Sequence, residues 1–124
     1  MVDDGIPAEL RDFIAKSIDS VGQLEALLLL RDNAEKAWDV LQLAKRLYVN
    51  EAEAVSILAH LVEQGFVIQR EESCRYDRQG KQAETIDRLA EAYARQLIPI
   101  TNLIHTKPRG IRAFADAFKI KRDK

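Results

Sequence analysis

Cysteine is nearly missing from this chain: Cys74 stands alone among 124 residues. An intramolecular disulfide is therefore impossible, and a metal site built on paired cysteines is excluded. Proline and glycine are sparse, at 3 and 5 residues, so the chain has few built-in breaks and favours regular elements. Net charge is small, at −1, which supplies no global attraction to nucleic acid or an acidic membrane. Long apolar runs are also missing. The longest, Ala26 to Leu30, is far too short to cross a bilayer. The N-terminus has no basic region followed by an apolar stretch, so a secretory signal is not expected and a cytoplasmic protein without membrane insertion is. There is no phosphate-cradling glycine loop, nucleophile elbow or HExxH, and paired carboxylates such as Asp3-Asp4 and Glu71-Glu72 read as exposed. These absences lead us to expect no enzyme, no catalytic residue, no cofactor and no metal.

Hydrophobic residues make up 47% and charged residues 31%, enough for one domain with a core and a solvated surface. Charge is uneven along the chain. Residues 1–20 hold five acids against two bases, and residues 105–124 hold seven bases against two acids. The basic end reads either as an interaction tail for a protein partner or as a solvated helix end.

Periodicity predicts mostly helix. Pro7 suits a first helical turn, and Leu10, Phe13, Ile14 and Ile18 form one stripe. Ser20 with Gln23 is a capping pair that starts a helix near Val21. That helix is apolar nearly all round from Leu24 to Leu30, as befits the centre of a domain. Ala37-Trp38 reads as a short extended segment, with Trp38 in the core. Asp39 caps a helix from Val40 to Leu47 with Leu43, Ala44 and Leu47 inward, and Tyr48-Val49 makes a turn. Asn50 caps the next helix, with Glu53 placed to reach back to the cap. Val55, Leu58, Leu61 and Val62 are expected to be its buried stripe, and Gly65 its left-handed stop. Phe66-Val67-Ile68 and Cys74-Arg75-Tyr76 predict a hairpin around Glu71 to Ser73.

A long helix is expected over residues 81–106, kinked or interrupted at Pro99. Ile86, Leu89, Tyr93, Gln96, Ile100 and Leu103 make a heptad-like seam with one polar break. A core of this size leaves that seam in surplus, so Ile86, Leu89, Tyr93, Ile100 and Leu103 are candidates to join a homodimer. The other reading folds the helix back onto the N-terminal helix within one chain. A last short helix is expected from Ile111 to Lys119. The organisation expected is an acidic N-terminal segment and helix (1–20), a central domain (21–80) and a C-terminal helical dimerisation and tail segment (81–124).

The stretch Leu58-x-x-Leu61-x-x-x-Gly65-Phe66-Val67 resembles the exit of a recognition helix into a wing, and Arg75-Tyr76 resembles the Arg/Tyr pair of a second wing strand. On these residues the chain is similar to bacterial winged helix-turn-helix regulators of the MarR, ArsR and PadR kind, over residues 21–80. The resemblance implies a mainly α fold with a small β-hairpin, binding to double-stranded DNA as a homodimer, and transcription regulation. Residues 50–64 would be the recognition helix. Glu53, Ser56, His60 and Ile57 would point outward, with the wing tip Glu71-Glu72-Ser73 along a groove or phosphate strand. Ser56, His60, Arg70, Arg75, Arg78, Lys45 and Arg46 are the candidate DNA contacts.

Charge argues against that role. From Glu51 to Glu72 there are five acids and one base, Arg70, a net −4. DNA affinity rests mainly on Lys and Arg at phosphates. The alternative is a winged-helix protein-interaction module with an acidic face that does not bind DNA. His60 reads as a base contact or an ordinary surface histidine. Cys74 reads as a redox sensor near Arg70 and Arg75 or as a small strand residue. His60, Cys74 and His105 have ligand atoms but no short metal-ligand spacing.

Overall fold

In a computed structural model, residues 5–106 are described. The expected helix from Ile111 to Lys119, the basic tail and Asp3-Asp4 lie outside the described residues. The element order is α1 (Ala8–Ser17), α2 (Val21–Asp32), α3 (Val40–Leu47), α4 (Glu51–Glu63), β1 (Val67–Arg70), β2 (Ser73–Tyr76), α5 (Ala83–Arg95) and α6 (Leu97–Thr106). The protein is mainly α with a small antiparallel hairpin, as the pattern predicts.

Local chemistry sets the boundaries. Ser20 Oγ accepts the Gln23 amide at 3.1 Å, while Gln23 Oε1 accepts the Asp19 amide at 2.7 Å, so the return arm reaches one residue before the cap. Asp39 and Gln42 form a full reciprocal capping box at the start of α3. Asn50 Oδ1 accepts the Glu53 amide at 2.7 Å and opens α4. Gly65, at φ +80°, turns the chain from α4 into β1.

One core cluster draws on every helix and both strands. Central α2 buries Leu24, Ala26, Leu27, Leu28 and Leu30 and packs on α3, α4, β2 and α6. Trp38 pairs with Cys74 through two backbone hydrogen bonds of 2.8 Å, adding a one-residue third strand beside β2. Its side chain is buried, as expected.

Residues 81–106 differ from the single kinked helix. Gln96, at φ −130° and ψ 50°, ends α5, and α6 restarts at Leu97. Pro99 thus falls in the first turn of α6, where its missing N–H leaves no helical bond unmade. The break lets α6 turn onto α1 and α2 while α5 packs on α1. Ile86, Leu89, Tyr93 and Ile100 are buried within this one chain, and Leu103 is partly buried against the same core. The surplus apolar seam is therefore consumed by intramolecular packing, which removes the ground for a dimer joined through these residues. The polar member of the seam, Gln96, is the residue at which the helix breaks. No helix among the described residues is long and apolar enough to cross a membrane.

Candidate interaction faces

The α4 helix presents a different side from the one expected. Ala54, Ile57, Leu58 and Leu61 are buried, whereas Val55 is 50% exposed and Val62 only partly covered. Ile57, expected outward, belongs to the core. Ala54, although small, is fully buried, and the i, i+3, i+4, i+7 spacing that starts from it takes in Ile57, Leu58 and Leu61 and leaves out Val55. The solvent side runs along Ala52, Val55, Ser56, Ala59 and Glu63, with Glu51 beside it. No Lys or Arg lies in α4.

Glu51 and Glu53 sit in the first turn of α4. Carboxylates there stabilise the positive end of the helix dipole. They also occupy the end at which a phosphate would otherwise be favoured. The same two residues thus explain part of the acidity and oppose DNA docking.

Tyr48 adjoins that end. Its backbone is left-handed (φ 58°, ψ 43°), and its side chain is 94% exposed. A bulky residue seldom adopts this conformation, and nothing covers the ring in return. Leu41 on α3 and Val55 on α4 are also exposed, at 58% and 50%. From sequence, Tyr48 is expected only as part of a turn. Its aromatic character in the three-residue connection between α3 and α4 was the available signal.

The candidate DNA contacts divide into separate groups. Ser56 is exposed on α4. His60 is half-buried and its Nε2 lies 2.6 Å from the Ser17 carbonyl, so that nitrogen carries the proton and donates. This bond joins α4 to the end of α1 and commits that nitrogen within the fold. Lys45 is exposed on α3. Arg46 lies over the Trp38 ring at 5.6 Å, and Lys36 lies over the same ring at 4.1 Å. Arg78 pairs with Glu35 at 3.0 Å.

Arg70 and Arg75 do come together. On the hairpin, Val67 faces Tyr76, Ile68 faces Arg75, Gln69 faces Cys74 and Arg70 faces Ser73. Alternation sends Val67, Cys74 and Tyr76 into the core. Ile68, Arg70, Ser73 and Arg75 share the outer side with Ala37, where they line a cleft of about 300 Å³. The Arg75-Tyr76 pair is thus split between two faces. Burial raises the pKa of the Cys74 thiol, which works against a thiolate-based sensor. Among the described residues, no group of three or more His, Cys, Asp and Glu is arranged to hold a metal ion.

Tyr93 marks the meeting of α2, α5 and α6. Its hydroxyl donates to Glu25 Oε2 at 2.5 Å. Burial, then this hydrogen bond and the Glu25 charge, push its pKa up to about 12, with a Thr101 hydrogen bond acting the other way. No family model, curated protein or solved structure matches this chain.

Proposed function

We propose that this chain is a winged-helix module that docks a protein partner on the exposed side of α4, rather than a base-reading DNA-binding head. The observation that carries this reading is the composition of that side: Ala52, Val55 and Ala59 edged by Glu51 and Glu63, with exposed Tyr48 nearby and no Lys or Arg in the helix. Short side chains permit close approach, tyrosine is a frequent anchor of protein interfaces, and the acids select a positively charged rim. A cationic amphipathic helix has the matching chemistry.

A photo-crosslinking amino acid at position 55 tests this in the living cell. The expected adduct is to a protein with a basic docking segment, and Glu51→Lys with Glu63→Lys should weaken it. An adduct to DNA, or a protein adduct indifferent to both reversals, overturns the proposal.

DNA binding, with regulation of transcription as a homodimer, keeps one specific support. Arg70 and Arg75 form no ion pair with an acid among the described residues. Fluorescence anisotropy with a mixed-sequence duplex separates the readings. The docking proposal expects no saturable binding below roughly 100 µM, the weak edge of ordinary non-specific affinity. Tighter binding whose salt dependence shrinks in Arg70→Gln and Arg75→Gln replaces it with the DNA reading.

A further inference from the structure

The outer side of the hairpin combines three features that its fold does not need. Arg70 and Arg75 occupy diagonal positions on paired strands, which places Cα atoms roughly 7–8 Å apart. They are like charges, and no ion pair with a carboxylate holds either one among the described residues. Between them and Ala37 the cleft has an apolar wall, because Ile68 stays 41% exposed. Ser73, directly opposite Arg70, donates its hydroxyl to the Arg70 carbonyl at 3.3 Å and helps hold the turn.

The larger groove of about 640 Å³ between α2 and α5 is different. Arg31 there is already paired with Asp32 and Asp87, each at 2.8 Å, and Tyr93 with Glu25. Its central charged and polar groups satisfy one another, whereas the hairpin arginines do not.

We infer that the cleft formed by Ala37, Ile68, Arg70, Ser73 and Arg75 binds a small carboxylate that carries a short apolar body. Arg70 and Arg75 both line the cleft, and planar guanidinium forks match a carboxylate better than a lone ammonium does. Ile68 and the Ala37 methyl take the apolar body. The cleft volume lies at the small end of known ligand sites, which limits the ligand to a few carbon atoms beyond the acid group. The inference is independent of the α4 face, which lies on another element.

Methyl-resolved NMR titration of the full chain with sodium hexanoate tests it, with 1-hexanol and inorganic phosphate as the comparison probes. Hexanoate should shift the Ile68 methyl signals saturably, with a Kd on the order of 1 mM, suited to a ligand of few atoms. Hexanol, without the charge, and phosphate, without the apolar body, should each bind at least about tenfold more weakly, a loss equivalent to one charge-assisted contact. The double variant Arg70→Gln/Arg75→Gln should lose at least about tenfold in hexanoate affinity on the same grounds, while Arg78→Gln should bind as the parent does. Both variants are surface changes, and an unchanged methyl spectrum elsewhere shows that they fold. No saturable Ile68 shift, equal binding by hexanol, equal or tighter binding by phosphate, or an unaffected double variant would each overturn the assignment.

Discussion

At the scale of single residues, backbone conformation and burial carry more information than residue type. Tyr48 sits in the left-handed region with its ring in solvent, so the fold gains little packing for the strain. Tyr48→Gly should therefore stabilise the protein by about 1 kcal/mol, the approximate cost of that conformation for an L-residue, less the entropy that glycine loses on folding. Urea unfolding with an unchanged m-value is the measurement, and a loss of stability would mean that the ring packs after all. If Tyr48 anchors a partner, the same substitution should abolish the crosslink from position 55 while raising stability, a separation that a scaffolding residue does not give. Tyr93 carries a pH signature. Its pKa rises from 10.0 to about 12 on folding, so the native state holds the proton more tightly than the unfolded chain. That contribution is complete below pH 10 and is lost as pH climbs from 10 to about 12. Stability should fall across this window, and Tyr93→Phe should flatten the fall while costing about 1 kcal/mol near neutrality through the lost bond to Glu25.

At the scale of elements, the rotation of α4 is the decisive feature, because it sets which residues a partner can meet. Ile57→Ala should cost about 2–4 kcal/mol through the buried cavity it leaves, whereas Val55→Ala should fall within about 0.5 kcal/mol of the parent. Equal effects in thermal melts would place the two residues on equivalent sides and undo the assignment of the exposed face. The starts of α2, α3 and α4 and the end of α4 were legible in the sequence because they rest on contacts within four residues: Ser20, Asp39 and Asn50 are caps, and Gly65 supplies a positive φ, whereas the break at Gln96 had no such local signal. The hairpin was legible from β-prone runs on either side of a turn. The rotation of α4 was not. Alternative apolar stripes overlap on that helix, and the choice between Val55 and Ile57 depends on neighbours distant in sequence. His60 was misleading for the same reason, since its partner carbonyl belongs to Ser17, 43 positions away. The paired arginines were individually visible but not as a cleft, because their common side follows from the register Ile68 to Arg75.

At the scale of the whole molecule, the fate of the seam from Ile86 to Leu103 decides how the chain satisfies its own apolar surface. A continuous helix of this length would project beyond the domain and need a second copy. The break at Gln96 instead returns α6 to α1 and α2, and cross-links at the surface hold the arrangement: Arg88 to Glu9 joins α5 to α1, and Arg31 to Asp87 joins α2 to α5. These exposed pairs fix orientation more than they add stability. Burial of Leu89, at 0% exposure, does the stabilising. Leu89→Ala should therefore cost about 2–4 kcal/mol in the unfolding of a single chain. It should do so at every protein concentration. A seam between subunits would behave differently: the parent's melting temperature would climb with concentration, because association stabilises the folded state by mass action. The variant would then shift mass in light scattering as well as stability. The expected result is a parent melting temperature independent of concentration over a hundredfold range, with a lower but equally concentration-independent value for Leu89→Ala. A concentration-dependent parent would return the seam to an interface and require α5 and α6 to exchange their intramolecular contacts for those of a second copy.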